Sequence, residues 1–142
     1  MPNIKIVGHN DPLIARAKGI VRNIAIQSWV LLFEGERWYH IERVAIALED
    51  DEHIVGLASL EQPNEYNDNT PDIVGVWVHP DHRRQGIGTA LIKALAEESM
   101  SRYGQAPKIV SATKAGNALV RRAERDNVGI VAIYAGGFGD LP

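Results

Sequence analysis

The segment Ile73–Leu91 constrains the fold of this chain more than any other part of it. Its apolar run Ile73–Val78 has the length of a buried strand, and Pro80 ends that run because proline cannot donate a hydrogen bond to a β-ladder. A basic, glycine-containing turn then enters an amphipathic helix. Such a strand–turn–helix gathers backbone N–H groups, the positive end of a helix dipole and the side chains of Arg83 and Arg84. The segment therefore predicts a site for a phosphate-bearing ligand rather than an ordinary surface turn.

Length and composition predict a single globular domain over residues 1–142. A chain of this size buries roughly 70% of its unfolded surface, and the 23% charged and 45% apolar residues are ordinary for a globular protein. The formal net charge of −3 argues against general nucleic-acid binding. Cysteine is absent and the five histidines lack a metal-ligand spacing, so we expect no disulfide, no cysteine nucleophile and no metal.

The N-terminal residues and the length of the apolar segments indicate where in the cell the protein is expected. Residues 1–5 lack the charged-then-apolar layout of a secretion signal. No apolar stretch reaches the length needed to span a membrane. We therefore expect a cytoplasmic protein that does not associate with membranes.

The first half of the chain predicts one strand, one helix and a hairpin. Ile4–Val7 is a short strand, and Asp11 and Pro12 mark the start of a helix over residues 12–28. Residues 29–41 have no clean period and fit either a second short helix or a substrate-side loop. Alternating apolar residues at 44, 46 and 48 and the run 54–60 form strands around the acidic turn 49–52. The polar, turn-rich residues 62–71 predict an exposed loop.

The second half alternates strands and helices. After the strand Ile73–Val78, a helix carries Ile87, Leu91 and Leu95 on its core face. A buried strand over 108–112, a helix over 117–125 and a last strand over 128–134 follow. The central hairpins predict antiparallel pairing, and the β-α-β unit over 73–112 predicts one parallel pair. The fold class is therefore α+β, with a mixed, mostly antiparallel sheet flanked by helices.

The pattern Val-x-Val-x-Pro-x-x-Arg-x-x-Gly-x-Gly-Thr-x-Leu, from Val76 to Leu91, resembles the acetyl-coenzyme A site of the GNAT superfamily of N-acetyltransferases. The order of elements resembles that fold over most of the chain. A dinucleotide-binding Rossmann unit is not indicated, because no glycine-rich turn follows the first strand. A P-loop is not indicated either, because Gly-Lys-Ser/Thr is absent.

The resemblance implies which residues contact acetyl-coenzyme A, the expected co-substrate. The backbone of the turn would hold the pyrophosphate, and Gly86 and Gly88 would let phosphate oxygens approach. Arg83 would shape the turn or face the phosphates, Arg84 would reach the outer phosphate of the cofactor, and a solvated surface charge is the alternative for either. The pantetheine arm would bond to the strand backbone like an added β-strand, with the Trp77 side chain packing inside. The implied cofactor-binding residues are Val76, Trp77, Val78, Arg83, Arg84, Gln85, Gly86, Ile87, Gly88, Thr89 and Asn117.

The family reaction is direct attack of a neutral amine on the acetyl thioester. A free lysine amine has a pKa of about 10.4, so a base has to remove a proton from it. By resemblance, Asp72 at the start of the cofactor strand is the candidate base acting through water, with Glu61 as a second choice. A strand-end polar residue is the alternative interpretation of Asp72. A backbone N–H near Val76 is the implied oxyanion donor.

The residue expected to protonate the leaving thiolate differs from the family pattern. Many members carry Asn-x-x-Ala-x-x-x-Tyr followed by Gly-Phe, and here Asn117 matches the asparagine while Glu124 stands where the tyrosine would be. Glu124 is a candidate for proton transfer, although an exposed carboxylate between Arg121 and Arg125 is the favoured interpretation. Tyr134 on the last strand is the other candidate hydroxyl, and packing explains it equally well.

Two further expectations concern partners and competing functions. The expected substrate is a primary amine of a small molecule or peptide, which acidic loops would attract if it is cationic. A non-catalytic acyl-coenzyme A-binding module is the alternative, favoured by the missing tyrosine, and the acidic balance disfavours an acetyltransferase acting on aminoacyl-tRNA. The family ends with two strands after its last helix, whereas this chain supplies one, so a homodimer could complete the sheet edge.

Overall fold

The structure, a computed structural model, describes residues 2–8, 10–23, 40–111 and 114–134. Six strands form one sheet in the order β1-β2-β3-β4-β5-β6. The strands are β1 Asn3–Val7, β2 Ile41–Glu49, β3 His53–Glu61, β4 Asp72–Val78, β5 Lys108–Ser111 and β6 Val131–Tyr134. The described helices are α1 Pro12–Asn23, α2 Ile87–Tyr103 and α3 Lys114–Arg125.

The sheet is mixed, as the sequence predicts. β1 to β4 pair antiparallel, whereas β4 with β5 and β5 with β6 pair parallel. The parallel pair predicted from the β-α-β unit over residues 73–112 is confirmed as β4 with β5, whereas the parallel pairing of β5 with β6 was not predicted. The second pair arises because α3 connects β5 to β6 in a further β-α-β unit, and this connection brings β6 beside β5.

Several predicted bounds differ from the structure. The loop 62–71 is not fully exposed, because Glu65–Asn67 forms a short 3-10 turn in which Asn67 is buried. The last strand begins at Val131 rather than at residue 128, because the N–H of Val128 donates to Ala123 O at the end of α3. Residues 24–28 of the predicted first helix and the segment 29–39 lie outside the described residues.

The core has one layer on each face of the sheet. Alternate β2 side chains face opposite layers, with Val44 and Ile46 on the α1 side and Ala45 and Ala47 on the α2 side, and all four are fully buried. β2 is thus a central strand covered on both faces, which explains its nearly continuous apolar sequence. Among the described residues, no helix is long and apolar enough to cross a membrane.

A glycine in β3 sets how closely α2 approaches the sheet. A Cβ added at Gly56 would lie 3.0 Å from Leu91 Cδ1, 3.1 Å from Ile87 Cγ2 and 3.2 Å from the carbonyl oxygen of Trp77. The side chains come from the first turns of α2, and the carbonyl belongs to the fixed backbone of β4. Gly56 therefore positions the start of α2 against β4.

Substitution of Gly56 by alanine should destabilise the fold. The new methyl group has to displace α2 or β4, and overpacking of this kind costs about 1–3 kcal/mol of unfolding free energy. Gly129→Ala is the matched control, because nothing lies within 4 Å of its added Cβ, and we expect a change within about 0.5 kcal/mol. Urea unfolding measures both, and equal values for the two variants would contradict this account of Gly56.

Candidate active site

β4 carries a bulge in the middle of the sheet. Ala58 pairs with Val76 while Ser59 pairs with Val74, so Gly75 is an extra residue on β4. Its φ of 80° lies in the left-handed region, where glycine alone is unstrained. A glycine in this conformation is typical of a bulge, which bends the strand that carries it. The glycine inside an otherwise apolar strand is the sequence signal for this bulge.

β4 and β5 separate at this bulge. Their parallel pairing consists of Asp72 with Lys108 and Ile73 with Ile109, and no described pair lies beyond Ile73. The remainder of β4 therefore has β3 on one side and a gap on the other. This gap opens toward the carboxyl ends of β4, β5 and β6, the edge at which open sheets bind ligands.

Peptide groups of β4 line the gap. The N–H of His79 donates to Val55 O of β3 at 2.8 Å, so strand alternation directs the peptide groups of Val76 and Val78 away from β3. The side chain of Trp77 is 7% exposed and packs in the α1-side core. The N–H and C=O groups of Val76 and the N–H of Val78 are thus directed where an amide-bearing arm can bond to them, and Trp77 packs as expected.

The turn after β4 presents backbone N–H groups. Arg84 has a φ of 65° and Gly86 has a φ of 79°, so both residues are in the left-handed conformation. Such residues orient successive backbone N–H groups toward a common point. The first intrahelical bond of α2 joins Ala90 N to Gly86 O at 3.0 Å, so the N–H groups of the preceding first turn have no partner within the helix. Gly86 caps α2 without a side-chain hydrogen bond. The turn is therefore suited to an anion.

The two arginines of the turn have different positions. Arg83 Nε donates to Val78 O at 3.1 Å, which folds the turn back onto the end of β4. Arg84 is exposed and adopts the left-handed backbone conformation. Arg83 thus shapes the turn, and Arg84 adds positive charge at the mouth of the site.

Gly88 has a packing role that the sequence analysis did not anticipate. A Cβ at this position would lie 3.0 Å from Leu119 Cδ1 and 3.7 Å from Val78 Cγ2. The missing side chain therefore faces α3 and the end of β4. The approach of α3 to α2 accounts for this glycine in the structure, whereas the positive φ accounts for Gly86.

The two histidines beside the motif have local partners. His79 Nδ1 accepts a hydrogen bond from the N–H of Asp81 at 3.1 Å and so caps the short turn Pro80–His82. His82 Nδ1 lies 3.2 Å from Glu49 Oε2 at the β2–β3 hairpin. Among the described residues, no three histidine, aspartate or glutamate side chains are grouped so that they could hold a metal ion.

Asn117 lies at the gap end of α3. It is 3% exposed, and its Oδ1 accepts a hydrogen bond from the Ser111 hydroxyl of β5 at 2.5 Å. This bond occupies the oxygen end of the amide, so its nitrogen end is the donor. Ser111 was not identified from the sequence, where the only signal was a small polar residue at the end of an apolar strand.

The three candidate catalytic residues do not meet at one point. Asp72 is buried at 5% exposure on the α1 side of the sheet, where it is the cross-strand partner of Glu61. The Tyr134 hydroxyl donates to Glu124 Oε1 on the α3 side. The structure thus joins Glu124 to Tyr134 and sets Asp72 on the opposite face.

Tyr134 is held in its protonated form by its surroundings. Burial and the hydrogen bond to Glu124 raise its pKa above the ordinary value, although Arg121, 5.4 Å from the ring centroid, acts in the opposite direction. Glu124 itself is exposed on α3. The phenol is thus a proton donor at neutral pH.

The groups in and around the gap fit acetyl-coenzyme A. A strand edge can accept the amide-bearing pantetheine arm, and a turn with left-handed residues before a helix N-terminus can bind a diphosphate. That these groups bind this co-substrate, as the sequence resemblance implies, stays a prediction.

Comparison with known proteins gives the family. The acetyltransferase (GNAT) family model matches residues 21–126, whereas a sequence search of curated proteins gives no match. One similar structure is the ribosomal-protein-alanine N-acetyltransferase from Brucella melitensis biovar Abortus 2308, with 20% identity, a TM-score of 0.57 and coverage of 88% of this chain and 89% of that chain.

Two aminoglycoside acetyltransferases share the fold. The enzyme AAC(6')-IG from Acinetobacter haemolyticus is 18% identical, with a TM-score of 0.53 and 89% of both chains covered. The enzyme AAC(6')-Iy, solved in complex with CoA, is 15% identical, with a TM-score of 0.59 and coverage of 94% of this chain and 91% of that chain. The chain belongs to the GNAT family of acetyltransferases. It is an acetyl-CoA-dependent enzyme, and acetyl-CoA is its co-substrate.

The Tyr134–Glu124 pair gives a prediction that spectroscopy can check. Because the folded-state pKa of Tyr134 is raised, the pair stabilises the fold below the ordinary tyrosine pKa of about 10, and this contribution is lost as pH rises through the folded-state pKa. Glu124→Gln removes the acceptor charge, so the pKa of Tyr134 should fall toward its ordinary value. The pH dependence of tyrosinate absorbance measures the pKa of Tyr134, once the absorbance of the same protein carrying Tyr134→Phe has been subtracted. Glu97→Gln, an exposed change on α2, is the control, and an equal shift there would contradict the assignment.

Proposed function

We propose that this protein transfers the acetyl group of acetyl-CoA to a primary amine of a small molecule or peptide by direct attack. The observation that carries the proposal is the gap beside β4, in which peptide groups of Val76 and Val78 face the N-terminus of α2 across one turn. That arrangement suits a long amide-bearing ligand with a diphosphate, whose thioester then lies beside the bulge. The amine has to approach from the side of the sheet that this arm leaves open.

The cofactor contacts follow from the same geometry. The peptide groups of Val76 and Val78 bind the pantetheine arm, and the N–H groups of the turn and of Ile87 and Thr89 bind the pyrophosphate. The amide nitrogen of Asn117, oriented by Ser111, donates to the arm where it passes α3. The proposed contacts are those of Val76, Trp77, Val78, Arg83, Arg84, Gln85, Gly86, Ile87, Gly88, Thr89 and Asn117.

Protons move on two sides of the reacting carbon. Asp72 accepts the proton of the acceptor ammonium, which is supported by its position on the α1 side of β4 upstream of the bulge. The Tyr134 phenol, kept protonated by burial and by Glu124, supplies the proton for the thiolate. The N–H of Val76 stabilises the oxyanion of the tetrahedral intermediate, because it points into the gap.

The partner and the acceptor class are also proposals. Acidic residues at the β2–β3 hairpin and along 65–72 favour a cationic amine. Within the described part of the chain β6 is the edge strand, and the side chains of Val131 and Ile133 on it are 51% and 41% exposed. This exposed edge supports a homodimer in which two β6 strands meet.

Thiol release tests the proposed activity. Purified protein, acetyl-CoA and a panel of primary amines should release free CoA thiol above the rate without amine, and mass spectrometry should find the amine heavier by one acetyl group. A protein that binds CoA without releasing thiol with any amine would instead support the non-catalytic acyl-CoA-binding alternative.

Cofactor binding at the turn is tested with two glycines of the same helix. Gly86 and Gly104 precede and follow α2 with φ values of 79° and 67°, so a valine introduces the same backbone strain at either one. Gly86→Val should weaken CoA binding at least 10-fold, because it disturbs the N–H groups that face the pyrophosphate, whereas Gly104→Val should leave the affinity within about twofold. Calorimetric titration with CoA compares them, and equal affinities would refute this site.

A further inference from the structure

A row of buried polar side chains crosses from the β4 bulge to the end of β3. Ser59 and Glu61 lie two residues apart on β3, and Asp72 is the cross-strand partner of Glu61. Their exposed fractions are 0%, 2% and 5%. Strand alternation puts Ser59 and Glu61 on the α1 side, because Leu57 packs in the core there while Leu60 packs in the core on the other side.

Glu61 and Asp72 are two carboxylates held side by side. Directly opposite residues of an antiparallel pair have Cβ atoms about 4.5–5.5 Å apart. Asn67 Nδ2 donates to Glu61 Oε1 at 2.9 Å, and the Asn67 side chain is itself fixed because the N–H of Asn64 donates to its Oδ1 at 2.8 Å. Buried acidic side chains are rare in proteins, so this fixed arrangement needs a reason beyond packing.

Ser59 gives the second, independent observation. Its hydroxyl is fully buried and has no hydrogen-bond partner within the residues that the structure describes. Burying a hydroxyl without a partner costs stability, and such exceptions in a native structure ask for a functional explanation. Ser59 pairs with Val74, next to the bulge at Gly75, so along the strand direction its side chain lies between the level of the bulge and that of the two carboxylates.

Distance along β4 explains why a group is needed there. Gly75 is three residues after Asp72, and at about 3.3 Å per residue the bulge is about 10 Å from the carboxylate. A proton at the bulge therefore does not reach Asp72 in one hydrogen bond. Ser59, which is a diagonal neighbour of Asp72, divides this distance into two shorter steps that a hydroxyl and one water molecule can span.

We propose that the Ser59 hydroxyl relays the proton of the acceptor ammonium to Asp72, with Glu61 and Asn67 as positioning residues. This proposal rests on the N-acetyltransferase function proposed above. The ammonium gives one proton to Ser59 Oγ, while the Ser59 hydroxyl proton passes through one water molecule to the Asp72 carboxylate, because Ser59 Oγ makes no direct hydrogen bond to Asp72. The neutral amine then forms the C–N bond with the acetyl carbon, the C–S bond breaks, and the CoA thiolate takes the proton of the Tyr134 phenol. The nitrogen loses its second proton to solvent, the phenol regains a proton from solvent, and Asp72 releases the proton it accepted. The net products are the amide, the CoA thiol and one proton.

The relay is needed only for acceptor amines that bind as ammonium ions. The test therefore compares a protonated amine with a neutral one. Ethylamine is protonated at pH 7, whereas 2,2,2-trifluoroethylamine, of similar size, is mostly neutral because its fluorines withdraw electrons. The ratio of kcat/KM between variant and wild type is measured with each amine, so their different intrinsic reactivities cancel. Ser59→Ala should lower kcat/KM about 100-fold with ethylamine, in the range of a lost proton-transfer group, and less than threefold with trifluoroethylamine.

Stability separates the relay from a structural role. Ser59→Ala removes an unpartnered buried hydroxyl, so its urea midpoint should equal or exceed that of the wild type. Ser99→Ala is the matched control, because the Ser99 hydroxyl is also fully buried but donates to Gln105 O at 2.7 Å. That control should lower the midpoint and change the rates with both amines by the same small factor.

The outcomes are distinct. Asp72→Asn should reproduce the selective loss with ethylamine, and it serves as the second variant. Equal losses with both amines, or no loss with either, in Ser59→Ala and Asp72→Asn would overturn the relay while leaving the acetyltransferase function intact. A wild type that acetylates neither amine nor any amine of the panel overturns the function and the relay together.

Discussion

The extra residue in β4 is the constraint on which the rest of the site depends. A regular β4 would continue its ladder with β5 to the end of both short strands, and every peptide group on that side would be occupied. Gly75, in a left-handed conformation closed to most side chains, bends β4 so that pairing with β5 ends after Ile73. Beyond Ile73 the peptide groups on this side of β4 therefore have no described ladder partner on β5, although they lie in the middle of a sheet.

Two other glycines bring the helices to this gap. Gly56 lets the first turns of α2 lie against β3 and β4, and Gly88 lets α3 approach the first turn of α2. The N-terminus of α2 therefore lies at the end of β4 by close packing and not through a long connection. Closely packed elements of this kind move little relative to one another. The peptide groups of β4 and the N–H groups of the turn therefore keep a fixed spacing, which suits one extended ligand.

The sequence predicted the parts of the molecule that local pattern controls. The apolar run of β4, the proline stop and the glycine turn predicted the strand–turn–helix segment and, by resemblance, the family. Local patterns do not predict which strands pair, because one sequence does not specify strand order or register. The parallel β5–β6 pair was missed for this reason, and so was the proximity of Ser59, Glu61 and Asp72. The buried Asn67 was missed because its segment is polar throughout, and only the capping geometry shows that this side chain turns inward.

The departure from the family tyrosine acquires a physical meaning from the contact between α3 and β6. By resemblance Glu124 stands where many family members carry the tyrosine, and the Tyr134 hydroxyl of β6 donates a hydrogen bond to it, so this chain brings a phenol to that position from another element. On the proposed mechanism the amine proton leaves on the α1 side, through Ser59, and the thiolate proton arrives from the α3 side. The gap beside β4 is then the place where the two routes meet.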